Sequence, residues 1–146
     1  MSSKKNFLLK HLISLSTFAV FFSIGWLYAS EETATERTMK KLLDFKDKGF
    51  TNVRGERRGF LENKGLLKQR IKLFSKQSYL AIVSGDEDIK GIKMVIKDKK
   101  GKLMKECSVS GSTAHLEFIP KKKDKYSFFI EVPDKGGYYH FSLATK

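Results

Sequence analysis

"GIKMVIKDKKGKLMKECSV", residues 91–109, sets the pattern from which the rest of the chain can be read. Ile92, Met94 and Ile96 fall on one side of an extended chain, and Lys93 and Lys97 fall on the other. An apolar residue at every second position is the mark of a strand with one buried face. "DKKGK" at 98–102 then predicts a tight hairpin turn, with Gly101 supplying the positive φ that such turns require. Beyond it Lys105, Cys107 and Val109 alternate with polar neighbours, which suits a second strand carrying a buried thiol. Cys107 is the single cysteine, so no internal disulfide can form.

The same period runs outward in both directions. It predicts strands near 56–62, 68–74, 78–84, 90–97, 102–109, 113–119, 125–132 and 137–144. In "KYSFFIEV", Tyr126, Phe128, Ile130 and Val132 point to the core, and Tyr139, Phe141 and Leu143 repeat the pattern in the last strand. Short strands at about ten-residue spacing, with no helix between them, predict an antiparallel sandwich or barrel. Upstream, residues 33–49 read as one helix. Thr33 and Glu36 form a capping-box pair, Met39, Leu42 and Leu43 share an apolar face, and Gly49 is placed to end the helix. That apolar stripe is expected to pack on its own domain.

The N-terminus predicts the compartment. Lys4, Lys5 and Lys10 precede "LISLSTFAVFFSIGWLYA", residues 12–29, which carries no charge, and Glu31 and Glu32 follow. This is the layout of a secretory signal peptide over residues 1–29. The alternative is an inner-membrane anchor over residues 8–29, since eighteen apolar residues reach the lower limit of a spanning helix. Either way the remainder is exported, to the periplasm or beyond. The expected organisation is therefore leader 1–29, helix segment 30–50 and β-sandwich 51–146. The leader's three lysines account for three of the net +13, leaving +10 on the rest. For an exported domain, such a charge favours lipid headgroups, lipopolysaccharide or cell-wall polymers, and disfavours nucleic acid.

"IKLFSKQSYLAIVSGDEDIKGIKMVIKDKKGKL", followed by "LEFIPKKKDKYSFFIEV" and "GGYYHFSLA", resembles the bacterial pre-peptidase C-terminal (PPC) domain over about residues 66–144. The resemblance rests on an aromatic strand ending in Gly-Asp, a hairpin with Asp-x-x-Gly, a Pro turn leading into a Tyr strand, and a closing Gly-Tyr-Tyr strand. It implies a jelly-roll-like antiparallel β-sandwich of about 8 strands, and a role in binding, secretion or stability beside an exported peptidase. No enzyme domain is attached here. Some relatives bind calcium, which makes Asp86 and Asp88 weak metal candidates. Their spacing lacks the alternating oxygen ligands of a calcium loop, and a solvated acidic turn is expected instead.

No catalytic constellation is present. Outside the leader the histidines are His115 and His140, both on strands opposite the core-facing aromatics, and both are expected at the surface. HExxH, GxSxG, CxxC and a glycine-rich phosphate loop are all missing. A non-enzyme without cofactor is expected. The remaining signal is lysine. Lys121, Lys122 and Lys123 fill one turn and Lys125 opens the next strand, while Lys99, Lys100, Lys102 and Lys135 lie in other turns. Tyr126 and Phe128 face the core, so only Phe129 can join a mixed basic-aromatic site. These residues suggest a non-catalytic envelope protein that contacts an anionic polymer or lipid through its lysine-rich loops. The alternative is an accessory subunit of an exported peptidase or secretion system, docked through its helix or a sheet edge to a protein partner.

Overall fold

The computed structural model describes residues 30–146; the predicted leader lies outside the described residues. No helix among the described residues is long and apolar enough to cross a membrane. Eight strands follow one helix: β1 (Asn52–Leu61), β2 (Leu66–Leu73), β3 (Tyr79–Gly85), β4 (Ile92–Lys97), β5 (Leu103–Val109), β6 (Thr113–Phe118), β7 (Asp124–Glu131) and β8 (Gly137–Thr145). They form two antiparallel sheets of order β1-β8-β3-β6 and β2-β7-β4-β5. Sequential strands thus alternate between the sheets until β4 and β5, which pair directly, as in a jelly roll. All eight predicted strands are present. β1 starts earlier than predicted because "NVRGERRGFL" buries only Leu61 and is held by pairing with β8 rather than by an apolar face.

The core lies between the sheets. Met94, Ile96, Phe128, Ile130, Phe141 and Leu143 are all fully buried there, on the faces that the alternation predicts. The hairpin at 98–102 is also as predicted. Gly101 has φ 83°, and Asp98 Oδ1 accepts from the backbone N–H of Lys100 at 2.8 Å and of Lys102 at 2.9 Å. The core is closed within residues 30–146, and every strand has a partner there. This stretch is accordingly expected to fold without the leader.

The helix, α1, covers residues 30–43 and is followed by a 3-10 turn at Lys46–Lys48. Gly49, at φ 89°, ends that turn in the left-handed conformation, as expected. Two other readings of this segment need correction. The chain is already helical at residue 30, so Thr33 lies inside the helix and not at the N-cap position that a capping box requires. Met39 and Leu43 are also exposed, at 45% and 64%, while Ala34 and Thr38 are buried. The packed stripe is rotated because α1 lies on the outer face of the β1-β8-β3-β6 sheet, where Phe45, Phe50, Leu80, Ile82 and Ala144 form a second small core with Leu42 against it.

Two polar contacts fix the helix. Arg37 Nη1 donates to Gly85 O, Asp86 O and Ser112 Oγ, each at 2.9 Å. The Thr38 hydroxyl lies 3.1 Å from both Ala34 O and His140 O. His140 is therefore not a surface residue: it is completely buried beneath α1, with Glu56 Oε1 3.6 Å from Nε2, beyond a hydrogen bond. The two histidines are not in contact with each other. Both are on the outer face of one sheet, with β3 between their strands, and His115 packs against the Phe45 ring at 5.0 Å.

Burial, helped by Arg58, holds the His140 pKa below 6.5; Glu56, the Thr35 backbone and Glu31 oppose this only in part. A histidine whose folded pKa is depressed contributes stability that is present above about pH 6.5 and is lost as pH falls towards the folded value. The His115 pKa is lowered too, by burial first and then by Lys41, and adds with the same sign. The His140 share is read by difference. Urea unfolding between pH 7.5 and 5 should show a smaller acid-induced loss in His140→Gln than in the parent. Identical pH profiles would mean that His140 is not the titrating group.

Candidate anion-binding end and face

Because successive strands run in alternating directions, successive connections fall at opposite ends of the sandwich. Connections 74–78, 98–102 and 119–123 share one end, and connections 62–65, 86–91, 110–112 and 132–136 share the other. The first group holds Lys76, Lys99, Lys100, Lys102, Lys121, Lys122 and Lys123 against Asp98 alone. The second holds Glu62, Asp86, Glu87, Asp88 and Asp134 against Lys64, Lys90 and Lys135. The sandwich is polarised along its strands, and the lysine-rich turns meet at a single end.

Side chains join the three basic connections. Asp124, at the start of β7, is 3.4 Å from Lys99 Nζ and 3.8 Å from Lys122 Nζ. Its carboxyl is held below the usual range, first by the backbone N–H of Lys125 at 2.9 Å and then by these lysines. The Lys123 ammonium lies 4.9 Å from the centre of the Phe74 ring. Tyr126 Oη donates to Lys122 O at 3.0 Å, and Pro120 is buried, so the 119–123 backbone is anchored while its three lysine side chains are exposed. A hollow of about 480 Å3 between the turns is lined by Asp98, Lys102, Leu103, Met104, Lys121, Lys122 and Tyr126. Among the described residues, Lys100, Lys102, Lys121 and Lys123 make no ion pair, which leaves their charge available.

The basic surface continues onto the outer face of the β2-β7-β4-β5 sheet, which α1 does not cover. Lys125 is directly opposite Lys72, and the Phe129 ring lies between Lys68 Nζ at 5.3 Å and Lys97 Nζ at 5.0 Å. Phe129 thus does form the mixed basic-aromatic arrangement open to it from its sequence position. The sequence reading missed Lys68, Arg70 and Lys72, which line this face on β2. Their signal was the polar half of "LLKQRIKL", where the apolar half alone was used to place the strand.

Lys135 does not belong to this group. It is at the acidic end, where Nζ pairs with Asp88 Oδ1 at 2.6 Å. Asp86 is not part of a solvated turn: it is 3% exposed, and its carboxylate accepts from the backbone N–H of Asp88 at 3.0 Å, Ile89 at 3.4 Å and Tyr138 at 2.9 Å. Gly137 is required beside it, because a Cβ there would run into Asp86 Oδ1. The Gly-Asp and Gly-Tyr-Tyr motifs are thereby explained as two halves of one backbone junction between β3 and β8. Among the described residues no cluster of three or more His, Cys, Asp or Glu side chains could hold a metal ion. Burial pushes the Cys107 thiol up, away from the thiolate that nucleophilic chemistry needs.

No family model matches the chain, and no curated protein matches it in sequence. Solved structures do match in fold. The pre-peptidase C-terminal domain of collagenase from Bacillus anthracis aligns with a TM-score of 0.51 and 16% identity, covering 64% of this chain and 90% of that one. A periplasmic lysozyme inhibitor of g-type lysozyme from Aeromonas hydrophila aligns with a TM-score of 0.51 and 7% identity, over 68% of this chain and 90% of that one. The Yersinia pseudotuberculosis-derived mitogen aligns with a TM-score of 0.50 and 10% identity, over 64% and 85%. The β-sandwich is thus similar to the PPC fold, and it is shared with proteins of quite different description.

Proposed function

We propose that this chain is an exported, non-catalytic binding protein of the bacterial envelope, and that it contacts an anionic polymer or lipid through its lysine end. The observation that carries this reading is the meeting of the lysine-rich turns 98–102 and 119–123 around a shared hollow, at the end of the sandwich that also holds Lys76. Turns scattered over the molecule would make a soluble surface; turns gathered at one end make a field. The charged leader-like N-terminus supports export. The shared fold carries a lysozyme inhibitor, a mitogen and a collagenase-appended domain, so the scaffold is neutral as to ligand and the lysines carry the argument. The docking alternative, through the helix or a sheet edge, has weaker support: α1 uses its packed face on its own sheet, and the apolar side chains left exposed there for a partner are Met39 and Leu43 on the helix and Val53 and Phe60 on the edge strand β1.

The test replaces Lys121, Lys122 and Lys123 together with glutamine. All three are exposed and outside the core, so the urea midpoint should barely change. Each lysine near an anionic surface contributes on the order of 1 kcal/mol, and the effect decays within a Debye length. Affinity for anionic vesicles or lipopolysaccharide should fall by roughly tenfold or more at low salt, and the difference should shrink as salt rises. Equal binding by parent and variant at every ionic strength would reduce the turn to a solubility feature.

A further inference from the structure

Three large apolar side chains project from the lysine end. Phe74 is 47% exposed, Leu103 49% and Ile119 60%. Each stands at the mouth of a different basic connection: Phe74 just past β2, Leu103 at the start of β5, and Ile119 just past β6. All three are surrounded by lysine: Lys123 stacks on Phe74, Lys102 and Lys121 line the hollow with Leu103, and Lys121 to Lys123 follow Ile119 and the buried Pro120.

A soluble polyanion explains the lysines and leaves these side chains without a purpose, because it offers no apolar medium. A folded protein partner would be expected to meet a flatter and less charged patch. A bilayer surface offers both media in the required order, with anionic headgroups outside and acyl chains a few ångströms below. Lysine stems can then lie along the apolar tips while their ammonium groups stay among the phosphates. Resting on the anion-binding reading above, we infer that the ligand of this end is an anionic lipid bilayer, and that Phe74, Leu103 and Ile119 enter its interface while the surrounding lysines pair with headgroups.

The single tryptophan of the chain, Trp26, lies in the leader, so residues 30–146 contain none. Phe74→Trp in that stretch therefore gives a fluorophore at one tip and nowhere else. On vesicles containing phosphatidylglycerol its emission should shift to the blue and be quenched by brominated acyl chains. With soluble polyphosphate it should bind without either change. The triple variant Phe74→Ser, Leu103→Ser, Ile119→Ser should keep the polyphosphate affinity of the parent and lose roughly tenfold or more on the vesicles, since each tip transfers apolar area out of water.

A bound Phe74→Trp protein that still emits as if in water would overturn the inference. So would an apolar triple variant that binds vesicles like the parent, or a parent that binds polyphosphate but no vesicle. In each of these cases the anion-binding function survives, because the lysine variant tests it separately. A parent that binds neither vesicles nor polyphosphate overturns both. Urea midpoints equal to the parent's show that a loss in the variants is not a loss of fold.

Discussion

Asp86→Ala is expected to cost about 3–5 kcal/mol of stability, although the residue is a single carboxylate in a loop. Its side chain accepts three backbone N–H groups, from Asp88, Ile89 and Tyr138, and is shut off from water. Alanine leaves all three donors without their acceptor, and each unsatisfied buried donor costs about 1–3 kcal/mol. The damage reaches further than the loop. The 86–91 connection would keep only its backbone bond from Asp86 N–H to Tyr138 O at the start of β8, and the backbone carbonyls on which Arg37 pins α1 would be less firmly fixed. Asp86→Asn keeps one acceptor oxygen and should lose less. Urea unfolding of the three proteins at pH 7.5 measures this, and a loss below about 1 kcal/mol in the alanine variant would show that the carboxylate is not the keystone of the β3–β8 junction.

Phe128→Ala should cost about as much, roughly 3–5 kcal/mol, by a different route. Phe128 has no exposed surface, sits midway along β7 between the sheets, and packs on Phe141 with ring centres 5.6 Å apart. Truncation leaves a cavity that the facing strands cannot close. The next residue, Phe129, points the other way, and its ring faces the ammonium groups of Lys68 and Lys97. Phe129→Ala should cost about 1 kcal/mol or less in stability, because it removes cation-π contacts at a surface rather than core volume. Adjacent phenylalanines with such unequal effects would confirm the direction of β7. Equal losses would mean that its two faces have been assigned wrongly.

That contrast also shows what the sequence made legible. Period-two alternation in "KYSFFIEV" and "GIKMVIKD" is a direct record of which face meets water, so the strands and their core residues could be read from it. Alternation does not say which strand lies beside which. β8 pairs with both β1 and β3, at sequence distances that no local signal spans. The polarised ends are a consequence of that topology and could only be guessed at from the chain. His140 misled for a related reason. Its alternation correctly placed it opposite the core aromatics, but a residue on the outer face of a sheet is exposed only if nothing covers that face, and α1 does. Asp86 misled because three carboxylates in a row read as solvated, while the first of them was needed by two amides of its own loop and by the Tyr138 amide, from a strand 52 residues away. Phe129 was found as a candidate since a face can be read locally; its lysine neighbours on β2 and β4 come from strands that only the fold brings together.

The course of α1 has one more consequence. Arg37, midway along it, is tied to the acidic end, whereas the segment after it closes over Phe50 and Ala144 and brings Gly49 against Lys146, towards the lysine end. The segment from Arg37 to Gly49 thus runs from one pole to the other, over the length of a strand, about 30 Å. Charges so separated make an electric dipole, and a dipole approaching a negative wall turns its positive pole forward. The molecule would stand upright, with the Arg37-pinned connections facing away from the wall.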